Sequence, residues 1–478
     1  MSSRIILTSS YTSIALFFTG IFLSVYKEKP KTNVSENVVK AAQPNIVLIL
    51  ADDLGYGDIG TYGATDVRTP HIDQLATQGI KFTSFYTPSP VCSPTRAGLL
   101  TGRYPCRMGI DGVFFPESYT GIPASEVTIA EALKQKGYST GIVGKWHLGH
   151  HRQFLPLQNG FDYYFGIPYS NDMQGVVYLR NNDVAEFKVD QHLTTKTYTQ
   201  EAIQFIEKNK SKPFFLYLAH SMPHVPLYAS TEFSGKSKRG LYGDVIEELD
   251  WSVGEVVKTL KKNNLDQNTL VIFTSDNGPW LAFDTDGGSP GVLREGKQTT
   301  FEGGQRVPFV AYYPSLIKAG QVNDQLATMF DLFPTFLSLA GSPDYKSSNP
   351  LPLDGEDITA VLAGKANRKG NEFLYYYNGQ IQAYRKGDWK IKFPYKGNKG
   401  IQGVRDVAPH DTLLFNLKED IGEKADQFKA HPEKIADLLK SFSEYKSKVR
   451  AVPTLVQRMP ADDSHVIRYK QRKGLATN

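Results

Sequence analysis

The chain has 478 residues, of which 40% are apolar and 22% charged, an ordinary balance for a globular protein with a large core and two or three domains. A formal net charge of +5 admits an anionic substrate but argues against a nucleic-acid partner. With only Cys92 and Cys106, a disulfide framework is excluded.

Residues 1–43 read as targeting rather than fold. Arg4 precedes an apolar run at 14–25, followed by a polar stretch at 26–40. The run is short for a membrane span, which needs about 20 apolar residues, so a secretory signal is expected. No small-x-small cleavage site follows it, which leaves an uncleaved N-terminal anchor as the alternative and no other integral membrane role. Export to a periplasm or to the outside is expected in either case, and the low cysteine use of an exported chain fits a bacterial source.

The apolar run 45–50 is bounded by turn formers and predicts a strand buried on both faces, ending in Ala51-Asp52-Asp53. Residues 69–76 read as a helix opened by Pro70 and stopped by Gly79. Thr128 and Glu131 form a capping box for a helix that Gly137 ends. A second strand at 138–143 runs into Gly144-Lys145-Trp146-His147. A helix at about 198–208 leads to a third strand, 213–219, which runs into His220 and His224. A longer helix at about 244–262 leads to a fourth strand, 269–274, which runs into Ser275-Asp276-Asn277.

Strands alternating with helices predict an α/β fold, a large, mostly parallel sheet sandwiched by helices. In such sheets ligands bind outside the carboxyl ends of the strands. That rule alone brings Asp52, Asp53, Lys145, His147, His224, Asp276 and Asn277 to one place. After a catalytic domain at 44–363, aromatic segments at 373–377, 381–385 and 389–393 are separated by glycine turns, as in an antiparallel meander. With another strand at 413–417 and a helix at 432–450, they form a small C-terminal subdomain with an antiparallel sheet, 364–478. From about Met459 a polar arm is expected.

The segment 91–103 reads as a turn opening into a short helix, with Ser93 as N-cap, Pro94 at the first helical position and Gly102 as the stop. Cys92 then sits at a helix N-terminus, where negative charge is favoured, and Arg96 lies one turn on. Cys92-x-Pro94-x-Arg96, followed by Ala97-Gly98-Leu99-Leu100-Thr101-Gly102-Arg103, closely resembles the signature of the type I sulfatases, of the arylsulfatase and N-acetylgalactosamine-6-sulfatase kind. The resemblance runs from about Pro44 to Leu339, with further matches near the C-terminus, and implies the alkaline-phosphatase-like sulfatase fold. It also implies that a formylglycine-generating enzyme converts Cys92 to formylglycine (3-oxoalanine), whose hydrated aldehyde is the nucleophile.

Asp52, Asp53, Asp276 and Asn277 offer only oxygen atoms, the ligand chemistry of Ca²⁺ or Mg²⁺ rather than Zn²⁺. The resemblance implies one Ca²⁺ held by these residues and by an oxygen of modified Cys92. It further implies that Arg96 and Lys145 hold the nucleophile and the sulfuryl oxygens, and that His147 takes a proton from the second hydroxyl. His224, in His-x-Pro, matches the histidine beside the leaving oxygen, with His220 in a supporting place. The segment 293–304 is a second long match, in which Lys297 contacts sulfate and helps protonate the leaving group. There Gly303-Gly304 permits close backbone approach, and Arg306 reads as structural.

The implied substrates are sulfated carbohydrates, of polysaccharide or glycosaminoglycan type, or aryl sulfates. Trp146, Trp280 and Tyr169 are candidates for stacking on a sugar. A phosphomonoester or phosphonate ester hydrolase of the same superfamily is the alternative, since fold does not fix function. A non-catalytic sulfated-glycan-binding protein would be expected to lack some of these groups, and none is missing.

Overall fold

The computed structural model describes residues 43–173, 175–345 and 351–456. The signal or anchor expected before residue 43 and the arm from Met459 lie outside them. Strands are β1 (Asn45–Ala51), β2 (Ile80–Tyr86), β3 (Ser139–Gly144), β4 (Tyr163–Gly166), β5 (Val177–Arg180), β6 (Asp183–Phe187), β7 (Phe214–Ala219) and β8 (Thr269–Ser275). They continue as β9 (Arg306–Tyr312), β10 (Gln321–Asn323), β11 (Ala327–Thr328), β12 (Glu372–Tyr377), β13 (Gln380–Lys386), β14 (Trp389–Lys392) and β15 (Leu413–Asn416). The main helices are α1 (Pro70–Gln78), α2 (Cys92–Thr101), α3 (Ile129–Lys134), α4 (Thr194–Asn209), α5 (Gly240–Lys262), α6 (Leu332–Leu339) and α7 (Pro432–Lys448).

The main sheet has the order β10-β2-β9-β8-β1-β7-β3-β4-β5-β6, with β11 also on β2. Its centre, β8-β1-β7-β3, is parallel throughout. Each strand buries both faces because helices cover both sides. In β1, Ile46, Leu48 and Leu50 enter the core shared with α2, α3 and α6, while Val47, Ile49 and Ala51 enter the core shared with α1, α4 and α5. Full burial of each such side chain stabilises by about 1.5–3 kcal/mol, so a charge introduced into this run would break the fold. Among the described residues no helix is long and apolar enough to cross a membrane.

Seven strands of this sheet, β2, β4, β5, β6, β9, β10 and β11, are not expected from sequence; β2 and β9 extend it beside β8, and β9 runs antiparallel to both β2 and β8. The expected capping by Ser93 is not what forms. Helix α2 opens at Cys92 with Val91 as N-cap, and the Ser93 hydroxyl instead accepts the Phe114 amide at 3.1 Å. Gly102 ends the helix at φ 67°. Trp146 is no sugar platform either. It is 1% exposed, and its indole donates to the Phe154 carbonyl at 2.9 Å.

The antiparallel sheet β12-β13-β14-β15 packs Phe373 and Tyr375 against Tyr86 of β2, and α7 places Phe442 and Tyr445 on Tyr384. A hairpin leaves this sheet after β14, bridged at Tyr395–His410 and Asn398–Val407.

Candidate active site

Strand register sets the convergence. Ala51 pairs with Ser275, Leu50 with Ala219, and Gly144 with Ala219, so β8, β1, β7 and β3 end side by side. The next residues are therefore neighbours, and their amides continue the ladder, Asp276 to the Ala51 carbonyl and Lys145 to the Ala219 carbonyl. Gly144 makes the crossing possible. At φ 117° it brings its Cα so close to Ala219 that a Cβ would lie 1.8 Å from that carbonyl. Asp53 and His147 have φ of 67° and 60°, and Glu295 and Gln298, flanking Lys297, have 59° and 68°. Non-glycine residues held in this region mark backbone strain that the surroundings must enforce.

The side chains form one buried cluster. Arg96 donates Nε and Nη2 to Asp276 Oδ2 at 3.1 and 2.9 Å and Nη1 to the Lys145 carbonyl at 2.8 Å. Lys145 Nζ donates to Asp52 Oδ2 at 2.6 Å and Lys297 Nζ to Asp53 Oδ2 at 2.8 Å. Cys92 Sγ lies 3.6 Å from Asp52 Oδ1 and 3.5 Å from Lys297 Nζ. His224 Nε2 is 3.6 Å from Asp53 Oδ2. His220, by contrast, faces the Ser252 hydroxyl and the Tyr198 ring, away from these charges.

Burial disfavours charge on Asp52, but Lys145, His224, Arg96 and Lys297 outweigh it and hold the carboxyl well below its usual range. Burial, with Asp52 alongside, pushes Asp276 up. Lys297 stays charged because Asp53 and neighbouring groups outweigh the burial that opposes it. Burial lowers the pKa of His147 and of His224, reinforced by Lys145 for the first and Lys297 for the second. The Cys92 thiol is pushed far up by burial, against the pull of Lys145 and Lys297. As a thiol it holds its proton at neutral pH and is no nucleophile.

The donor set fits a hard cation. Ligand atoms of Asp52, Asp53, Cys92 and Asp276 all lie within 4.8 Å of one another. Asn277 gives its amide N–H to Asp53 Oδ1 at 2.7 Å, while its Oδ1 is buried without a hydrogen-bond partner. An orphaned carbonyl oxygen beside paired carboxylates is what an oxygen-seeking ion would satisfy. His147 is similarly half-used. Its Nε2 meets the Phe114 carbonyl at 2.8 Å, and its Nδ1 is buried without a partner.

Every site residue expected from the sequence therefore lies in or beside this cluster. Ser170 was not anticipated, and its hydroxyl is 3.2 Å from Lys145 Nζ. It follows β4 in an irregular segment where no sequence pattern marks it. Trp280 is 6% exposed and packs on His224, with ring centroids 5.2 Å apart, rather than offering a face to a sugar.

A buried cluster of fixed cations and carboxylates around Cys92, at the carboxyl edge of a helix-covered sheet, is the kind of place that binds an anionic ester. Residues 44–342 match the model of the Sulfatase family, and residues 369–469 match that of the C-terminal region of aryl-sulfatase. The N-acetylgalactosamine-6-sulfatase of Mus musculus is 43% identical over 426 residues, covering 80% of this chain and 81% of that protein. Arylsulfatase A of Homo sapiens is 39% identical over 428 residues, covering 80% and 83%. The structure of Ps i-CgsB in complex with k-i-k-neocarrahexaose superposes with a TM-score of 0.74 at 30% identity, covering 90% of this chain and 98% of that one. The chain belongs to the sulfatase family, hydrolases of sulfate esters, and has the sulfatase fold.

Proposed function

We propose that this sulfatase removes sulfate from sulfated carbohydrate, with Cys92 converted to formylglycine and one Ca²⁺ held by Asp52, Asp53, Asp276, Asn277 and the modified residue. The observation that carries the reading is the state of Cys92. Its Sγ lies within 4.8 Å of ligand oxygens of Asp52, Asp53 and Asp276 and 3.5 Å from the Lys297 ammonium, a position that suits an oxygen-bearing side chain better than a buried thiol. An oxidised, hydrated side chain would instead put hydroxyl oxygens among the converging ligand atoms. Such a hydrate supplies one hydroxyl to attack sulfur and a second whose proton can be removed to expel sulfate.

Asp52, Asp53 and Asp276 balance Arg96, Lys145 and Lys297, so a bound cation leaves a surplus that an incoming sulfate offsets. Bound Ca²⁺ would supply polarisation of a sulfate oxygen. Arg96 and Lys145 are pinned by carboxylates and backbone, so they meet charge developing on the sulfuryl oxygens without reorganising. His147 donates Nε2–H to Phe114, which leaves neutral Nδ1 as the base for the second hydroxyl. Lys297 carries the proton for the leaving oxygen, and His224 stands beside it.

The carbohydrate assignment draws support from the N-acetylgalactosamine-6-sulfatase name of one relative and the oligosaccharide in the structural neighbour. Export through residues 1–43, to a bacterial periplasm or beyond, and maturation by a formylglycine-generating enzyme belong to the same reading. The test is sulfate release, read by ion chromatography, from a panel of sulfated oligosaccharides and an aryl sulfate. Release from at least one saccharide is expected, abolished by chelation and restored better by Ca²⁺ than by Zn²⁺. Turnover of aryl sulfate alone would overturn the carbohydrate assignment, and full activity in metal-free protein would overturn the ion.

A further inference from the structure

Trp280 follows Asn277 by three residues, and its ring touches both groups assigned to the leaving oxygen. Lys297 Nζ sits 4.0 Å from the ring centroid, and the His224 ring packs on the same indole. Phe283 closes its edge at 4.7 Å. The backbone reinforces the arrangement, since the Lys297 amide donates to the Pro279 carbonyl at 2.9 Å. The indole N–H is spent elsewhere, donating at 2.8 Å to the carbonyl of Gly403. Gly403 belongs to the turn at the tip of the 395–410 hairpin, where Val404 donates to the Ile401 carbonyl. Beside it Arg405 makes a 3.1 Å ion pair with Glu295, two residues before Lys297. The C-terminal hairpin thus grips the indole and the backbone that carries Lys297.

We propose that Trp280 is a positioning residue for the leaving-group side of the reaction, held in register by the tip of the 395–410 hairpin. The inference rests on the reading that Lys297 and His224 serve the leaving oxygen. Lys297 is a flexible ammonium whose carboxylate partner among the described residues is Asp53 at 2.8 Å. The Trp280 ring face, 4.0 Å away, adds cation–π attraction to that pairing, and the indole hydrogen bond to Gly403 fixes how the face is turned. Proton delivery depends on such placement more for a poor leaving group than for a good one.

The test is kcat across a series of aryl sulfates whose phenols rise in pKa, with His224→Ala as the reference slope. Trp280→Leu should lower kcat about 30-fold for the poorest leaving phenol and about threefold for the best, steepening the dependence. Trp280→Phe keeps a ring but no N–H and should fall between. Replacing residues 397–408 with a short glycine turn should steepen the slope in the same way. A uniform fall across the series would assign Trp280 to folding alone and overturn the proposal, and so would an unchanged slope. A crystal structure of Trp280→Leu gives a second readout, with Lys297 Nζ expected to leave Asp53. Lys297 and His224 found unmoved would overturn the proposal whatever the kinetics. Wild-type protein that releases sulfate from neither this series nor any sulfated saccharide would count against the sulfatase mechanism instead, and the crystallographic readout would still decide the role of Trp280.

Discussion

At the carboxyl edge of the main sheet, Asp52, Asp53 and Asp276 face Arg96, Lys145 and Lys297 in full burial. Between that sheet and the antiparallel one, Glu302 and Glu423 face Lys390, Arg306 and Arg385, equally buried. In the second cluster Glu302 is saturated. Tyr86 and Tyr375 donate to its oxygens, Lys390 sits at 3.0 Å, and the Glu302 amide donates to Glu423 at 2.6 Å. In the first cluster the Asn277 carbonyl oxygen and His147 Nδ1 have no hydrogen-bond partner, and in the second Glu423 Oε1 has none either but is met by the Lys390 ammonium at 2.8 Å. Burial and charge are thus shared by a structural tie and the candidate site; in the tie the carboxylate oxygens are met by cations and hydroxyls, while the candidate site keeps a carbonyl oxygen and a ring nitrogen without a hydrogen-bond partner.

Three substitutions press on this contrast. The largest effect is expected from Cys92→Ser, expressed without conversion, which should lose turnover by at least about 10³-fold. A serine sulfate ester has no second hydroxyl to expel sulfate, so mass spectrometry should find a sulfate-sized adduct on that peptide after incubation with an aryl sulfate. Sustained turnover by protein shown to be unmodified would erase the distinction drawn for Cys92. In the saturated cluster, Lys390→Met should cost about 3–5 kcal/mol of stability, because it strips a cation from buried Glu302 and Glu423. Urea unfolding measures that loss, while kcat per folded molecule should stay within about threefold of wild type. A collapse of kcat without loss of stability would move this cluster into the catalytic machinery.

The smallest effect concerns the boundary of the site. Burial lowers the pKa of His220 to about 3, so the folded protein refuses a proton that the unfolded chain accepts near the ordinary value of 6.5. Its contribution is complete above that value and is lost as pH falls, by up to about 1.4 kcal/mol per pH unit. His220→Gln should flatten the fall in stability between pH 6.5 and pH 4 and leave the leaving-group dependence of kcat untouched. A steepened leaving-group dependence would bring His220 into the site.

The strands that carry the site are legible because each is an unbroken apolar run ending in polar residues, the mark of a strand covered on both faces. Strands β2 and β9 are not. Lys81, Thr83 and Ser84 interrupt the first, and Pro308 argues against a central strand in the second. Only their pairing with each other and with β8 makes them strands. Asp52, Asp53, Asp276 and Asn277 could be assembled by one rule about strand ends. Ser170 and the anchoring of Trp280 could not, because each depends on one contact from an irregular segment. Ser93 shows the same limit locally, since a good capping residue was claimed by Phe114 instead.

The central strand β1 has a consequence in time. Asn45 lies beside Thr269, 224 residues further along the chain, and Lys297, which lies against Cys92, comes later still. At about 5–20 residues per second, a ribosome needs roughly 10–45 s to make the partner strand after β1. Until then the sheet cannot close, and the segment around Cys92 stays within reach of other proteins. Afterwards Cys92 is 2% exposed. An enzyme that altered this residue would therefore have to reach it on a chain that has not yet finished folding.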